Sequence, residues 1–296
     1  MIPRIPKLFS ERLSSMVDDS KAFFASLETP PPYAFRINTL KGNKKMVLER
    51  FESYGIKLNQ IPFYRDGFVT GSLDVGNTIE HFLGMVYIQE AVSMIPPLVI
   101  EIGRDVLDAC AAPGSKTTQL AALMENRGML VANDSNYALT GNLERAGATN
   151  TVVTNRSILD FGGSFDSILL DPPCSSEGTV RKNPDLLSRW SLRSVISHSN
   201  LQKRMILKCF DLLKPGGSMT YSTCTFSPEE NEEVVDYLVK KRDGARLESF
   251  SLKGFRTSSG IGKWNGKRFE CTERVARIWP HHNDTGGFFV AKVRKG

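Results

Sequence analysis

The chain has 296 residues, 41% hydrophobic and 24% charged, with a formal net charge of +6 and a pI near 9.0, the composition of a globular protein with room for one large domain or two modest ones and a bias toward polyanionic partners. Five cysteines (Cys110, Cys174, Cys209, Cys224, Cys271) without C-x-x-C spacing argue against a disulfide framework and a zinc site. No apolar run reaches the roughly 18 residues of a membrane span, and the proline-broken N-terminus lacks a signal-peptide core, so the expectation is a reduced, cytoplasmic protein.

Residues 10–27 read as a helix capped by Ser10, with Leu13, Met16, Val17, Phe23, Phe24 and Leu27 on one stripe and three prolines ending it. A strand is expected over 35–40, a second helix over 44–54 closed by Gly55, and strand pieces at 57–63 and 68–69. Together these make a small α+β unit over residues 1–75. A connecting segment, 76–103, follows. Within it residues 87–100 read as a short amphipathic helix stopped by Pro96 and Pro97, with Gln89 and Glu90 either facing a site or simply on its polar side.

From Arg104 to the end (104–296) the pattern becomes strand-then-helix. Strands are expected at 105–109, 129–133, 151–154, 165–170 and 218–222, and helices at 115–125, 137–146, 192–213 and, after residues 227–230, to 241. That alternation predicts a Rossmann-like parallel sheet with helices on both faces. Two late strands, 274–279 and 287–293, fit an antiparallel hairpin at its edge. The four histidines (His81, His198, His281, His282) make no metal spacing, and no metal is expected.

The strand ends carry the chemistry. After the first comes Cys110-Ala111-Ala112-Pro113-Gly114-Ser115-Lys116, whose small residues let backbone N–H groups approach a ligand at a helix start. It lacks the glycine spacing of a phosphate loop and the G-x-G-x-x-G of a dinucleotide site. S-adenosyl-L-methionine, with its carboxylate, fits better. Asp134, about 20 residues on at the next strand end, is placed for the ribose hydroxyls of an adenosine, although such an acid is often only a helix cap. Asn155, Ser157 and Asp160 are the side chains available for the adenine. The fourth strand ends at Asp171-Pro172-Pro173-Cys174, where two prolines force the chain out of the sheet. The fifth ends at Thr223-Cys224. A lone cysteine is usually a small buried hydrophobe, but two at neighbouring strand ends beside a cofactor loop form a pair.

These motifs, CAAPGSKT, DPPCSSEGTVRKNPD and KPGG…YSTCTFSPEENE, resemble the Sun family of RNA 5-methylcytosine methyltransferases. FRINTLK, GMVYIQEAVSM and TGGFFVAKVRK extend the resemblance from about Phe35 to Lys295. It implies the class I adenosylmethionine-dependent methyltransferase fold over 104–296, preceded by a small RNA-binding unit. It also implies that Cys224 is the nucleophile and that Cys174 assists product release. The chemistry asks for such a set. A thiolate added to cytosine carbon 6 makes carbon 5 nucleophilic, and Asp171 can hydrogen-bond ring nitrogen 3 or the amine. Lys116 either orients Asp171 or favours the Cys224 thiolate. The segment 134–139 is shorter than the family's, and the family's basic residue after the ribose acid is not evident.

RNA is the expected partner. Arg36, Arg181, Lys182 and Arg189 are the candidate phosphate contacts, with Lys41, Lys44, Lys45, Arg193, Lys263, Lys267 and Arg268 as further cations. Phe35, Trp190 and Trp264 are candidate stacking rings. Each taken singly is more often a solvated charge or a core ring. A target cytosine must leave its stack to meet a thiolate. tRNA is favoured over rRNA, because no long extra domain is present, and a monomer is expected. Two rival readings are an adenine amino-methyltransferase, for which Cys224 is dispensable, and a non-catalytic RNA-binding assembly protein, which would keep RNA binding without either cysteine.

Overall fold

A computed structural model describes residues 5–296, apart from the side chain of Leu73; residues 1–4, part of the stretch read for a signal peptide, lie outside the described residues. The N-terminal helix is two helices, α1 (Lys7–Ser14) and α2 (Ser20–Ser26), because Asp19 rather than Ser10 is a cap and accepts from Ala22 N at 2.9 Å. β1 (Tyr33–Ile37), α3 (Lys44–Ser53), β2 (Asn59–Gln60), β3 (Gly67–Thr70), the short α4 (Ile79–Phe82) and β4 (Val86–Ile88) follow. Their four strands form one sheet in the order β2-β3-β1-β4. Its core is Phe35, Ile37, Val47, Phe51 and Val86.

Residues 87–100 are not one helix. Tyr87 pairs with Arg36 across the sheet, residues 91–94 make a 3-10 turn, and Pro96 starts a short helix, α5 (Pro96–Val99). The prolines begin helical structure because an N1 position needs no N–H donor.

The second sheet holds β5 (Asp105–Asp108), β6 (Met129–Asn133), β7 (Thr151–Thr154), β8 (Phe165–Leu170) and β9 (Leu213–Thr223), with α6 (Ser115–Leu123), α7 (Ala138–Ala146), α8 (Leu186–Arg189), α9 (Leu192–Leu212) and α10 (Glu232–Lys241) between and after them. β10 (Ala245–Glu248), the small pair β11 (Lys263–Trp264) and β12 (Lys267–Arg268), β13 (Val275–Ile278), α11 (Pro280–Asn283) and β14 (Phe288–Lys295) complete the chain. The order is β10-β14-β9-β8-β5-β6-β7, with β13 also on β14. β5 to β9 run parallel and the last strands antiparallel, an α/β fold with a mixed sheet. The expected hairpin exists, but it is not simply an edge. β14 lies inside, bonded to β9 along one side and to β13 and then β10 along the other. The chain order reverses between β5 and β8, and ligands of open α/β sheets bind at the carboxyl ends of such a pair.

α1 and α2 do not cover the first sheet. Phe9, Leu13, Phe23 and Leu27 pack on Val180, Leu187, Phe226 and Trp279 of the larger domain. A buried Arg12–Glu229 pair at 2.7 Å fixes this contact. At its rim the Nε2 atoms of His281 and His282 both reach Asp18. Arg256 also contacts that carboxylate at 2.8 Å and already supplies a cation there. Among the described residues no helix is long and apolar enough to cross a membrane.

Candidate active site

The loop from β5 to α6 turns on Gly114, whose φ of +106° favours glycine. The first turn of α6 has no side-chain cap, so N–H groups at Ser115 and Lys116 face outward at the positive end of the helix. Asp134, just beyond β6, accepts from Ala112 N at 3.0 Å and so braces this loop. Asp134, Cys110, Asn155 and Ser157 line a cleft of about 350 Å³ with Pro173 and Met205. Asp160 is exposed and is not in this lining. Asn133, missed in the sequence, lines the cleft too and ties the β6 and β7 ends through Arg156 N and O. Beneath the loop, burial lifts Asp108 to about 6, and Thr117 donates to it at 2.7 Å.

The parallel register of β8 on β9 pairs Leu170 with Tyr221. The next residues, Asp171 and Ser222, are therefore neighbours, and Ser222 Oγ donates to Asp171 Oδ1 at 2.7 Å. Lys116 Nζ holds the other oxygen at 2.5 Å. Burial works against the Lys116 ammonium, yet Asp171, and after it Asp108, keeps its pKa above the ordinary lysine value. Of the two roles open for Lys116, the contact made is the one to Asp171. Beyond both strand ends, three residues after Asp171 and two after Ser222, Cys174 Sγ and Cys224 Sγ lie 3.3 Å apart. The hydrogen bond to Cys224, then burial, raises the Cys174 thiol above its usual pKa.

Two buried glutamates, missed in the sequence, set this spacing. Glu230 accepts from Ser175 N at 3.0 Å and from Gln202 Nε2 at 2.9 Å, and Gln202 also donates to Pro173 O. Glu177 accepts from Thr225 Oγ1, Phe226 N, Ser227 Oγ and Trp190 Nε1. Gly178 N donates to Cys224 O at 2.8 Å. The loops after Cys174 and Cys224 are thus cross-braced, and burial lifts Glu230 to about 7. Their only signal in the sequence is the density of acids beside the cysteines, which a solvated loop would also show.

The candidate RNA contacts divide. Arg36 is fully buried, bonding Gln89 Oε1 at 2.9 Å and Thr118 Oγ1 at 2.6 Å. Arg181 is 5% exposed and bonds Thr29 O, Thr285 O and Asp284. Both corrections have one cause: each guanidinium is buried where it joins elements, and even Arg36 Nη1, which has no partner among the described residues, lies away from the surface where a phosphate would approach. Lys182 and Arg189 are exposed. Of the rings, Phe35 is core, while Trp190 and Trp264 donate to Glu177 and Glu229 from partly buried positions.

Comparison with known proteins agrees with this geometry. The family model described as 16S rRNA methyltransferase RsmB/F matches residues 98–294, and that of the N-terminal domain of 16S rRNA methyltransferase RsmF matches 5–91. A tRNA (cytosine(49)-C(5))-methyltransferase of Pyrococcus abyssi is 45% identical, over 99% of this chain and 97% of its own. Ribosomal RNA small subunit methyltransferase F of Vibrio campbellii is 41% identical, but the chain spans only 63% of it. Among solved structures, a methyltransferase homolog protein from Pyrococcus horikoshii superposes with a TM-score of 0.87 at 32% identity, covering 99% of this chain and 96% of that one. NSun6 from the same organism, at 24% identity, shares the fold with a TM-score of 0.86, covering 98% of each chain. The chain belongs to the RsmB/F family, the Sun-type RNA cytosine-5 methyltransferases.

Proposed function

We propose that the protein methylates carbon 5 of a cytosine in tRNA through a covalent adduct of Cys224 with carbon 6. The observation that carries the chemistry is the pair of sulfurs 3.3 Å apart beside the Lys116–Asp171 pair. tRNA is favoured over rRNA because the tRNA-modifying relative is 45% identical and the rRNA-modifying one 41%. We place the reaction in the cytoplasm with its RNA, carried out by a monomer.

The residues fit S-adenosyl-L-methionine. The uncapped first turn of α6 suits a carboxylate, Asp134 suits a ribose, and the cleft beyond offers Asn155 and Ser157 to an adenine. Bound there, the cofactor supplies an electrophilic methyl group. Cys224 adds to carbon 6, and the displaced electron pair makes carbon 5 the nucleophile. Asp171, held by Lys116 and Ser222, orients the cytosine edge through its remaining lone pairs. Loss of the carbon 5 proton then expels the Cys224 sulfur. Cys174, beside that sulfur, serves this step as base or through a water.

The test is labelled methyl transfer to unmodified tRNA and rRNA transcripts by wild type, Cys224→Ala and Cys174→Ala. The expected result is 5-methylcytosine from wild type, none from Cys224→Ala, and RNA covalently retained by Cys174→Ala on a denaturing gel. Methyl transfer by Cys224→Ala would overturn the nucleophile assignment and reopen the adenine and Cys174-nucleophile readings.

A further inference from the structure

A second cavity of about 590 Å³ opens against the first sheet, lined among others by Pro31, Tyr33, Val69, Ile88, Glu90 and, from the loop after Cys174, Lys182, a volume typical of small-molecule pockets. Its walls are apolar and its charged groups are few. Glu90 makes one hydrogen bond among the described residues, accepting from Gly286 N at 2.6 Å, and its second carboxylate oxygen has no partner there. The fit is tight: a Cβ on Gly286 would stand 2.2 Å from Glu90 Oε1. Burial raises the Glu90 carboxyl, opposed by the charges of Lys182, Arg181 and Lys116. The cavity is also tied to the catalytic end. Glu90 holds Gly286, Gly287 N donates to Gly178 O, and Gly178 N donates to Cys224 O. Tyr33 is an exposed ring on one wall, and Lys182 follows directly on the loop that begins at Cys174.

We propose that this cavity takes a base adjoining the target cytosine, read by the free oxygen of Glu90 on its exocyclic amino group. The proposal rests on the RNA cytosine reading above. Three features select this occupant. An acceptor alone at the inner wall suits a base edge rich in donors and disfavours uracil, whose carbonyl oxygens would face the carboxylate. An exposed tyrosine and proline wall suits the face of an unpaired base. A lysine suits the phosphate that comes with it.

The experiment measures methyl transfer to variants of the transcript that wild type methylates, changing each of the two nucleotides on either side of the target. Wild type is expected to prefer an amino-bearing base over uridine at one position by about tenfold. Glu90→Gln keeps an acceptor for Gly286 and presents a donor to the base, so the preference should flatten or reverse. Gly71 lines the same cavity with open space at its Cβ position and an ordinary φ. Gly71→Trp should raise KM and erase the same preference. Lys182→Gln should raise KM equally for all bases and lower the salt dependence. An active wild type whose base profile stays within twofold in Gly71→Trp and Glu90→Gln overturns the pocket alone; if Glu90→Gln does not fold, Gly71→Trp decides. A wild type that makes 5-methylcytosine in no RNA removes both readings.

Discussion

Glu230 is a buried acid whose removal should improve the protein at high pH. Burial, with the nearby Glu177, lifts its carboxyl from 4.5 to about 7 against the hydrogen bonds from Ser175 and Gln202. A raised acid favours folding below its unfolded value and loses that benefit as pH climbs through its folded value. At about 1.36 kcal/mol per pH unit, the raised carboxyl lowers stability, relative to acid pH, by a little under about 1 kcal/mol at pH 5 and by about 3 kcal/mol at pH 8. Glu230→Gln has no such cost, but gives up one acceptor toward Ser175 or Gln202, a loss of roughly 1 kcal/mol or more at every pH. Urea unfolding of wild type and variant at pH 5, 6, 7 and 8 isolates this residue, since all other titrations cancel in the difference. That difference should move by about 2–3 kcal/mol in favour of the variant between pH 5 and 8. A difference flat to within about 0.5 kcal/mol would show that the brace does not hold a protonated carboxyl, and the account of the cross-braced loops would fall with it.

Arg12→Met strands the buried Glu229 carboxylate, which Arg12 keeps below its ordinary value despite burial. It should cost about 3–5 kcal/mol in urea unfolding, and a loss below about 1 kcal/mol would mean that the pair is solvent-screened. Asp134→Ala should weaken adenosylhomocysteine binding at least tenfold by calorimetry, through the lost acid and the released Ala112 N–H; unchanged affinity removes Asp134 from the cofactor site. Arg36→Leu should lower unfolding stability while the salt slope of RNA binding stays constant, whereas Arg189→Gln should leave stability alone and reduce that slope by about 1. The reverse pattern would put Arg36 back on the RNA surface.

What was legible follows from where the determining contacts lie. β5, β6 and β8 appear in the sequence as apolar runs stopped by turn residues, because parallel strands in the middle of a covered sheet need little else, and the exposed edge strand β7 shows through its β-branched residues. Asp171, Cys174 and Cys224 were found because two prolines must leave a sheet and a strand must end. Their contact was inferred from strand adjacency, and the register of Leu170 on Tyr221 delivers it. Residues 87–100 failed because apolar spacing there satisfies a helix template, while pairing with β1 decides the structure. Arg36 and Arg181 failed for a related reason: a guanidinium looks the same in sequence whether its partners are phosphates or backbone carbonyls. Glu177 and Glu230 read as part of a polar loop because nothing local records that Ser175, Gln202 and Trp190 converge on them.

The insertion of β14 between β9 and β10 bears on how the protein is made. β9 carries Cys224 at its end, and from Ser218 to Thr223 its outer edge is paired only by residues 289–294. During synthesis more than 60 residues therefore leave the ribosome after Thr223 before that edge can close. Through that interval the strand leading to Cys224 is an open, uncharged edge of the kind that recruits other chains. Cys224 is set in its final place only when the last strand of the sheet arrives.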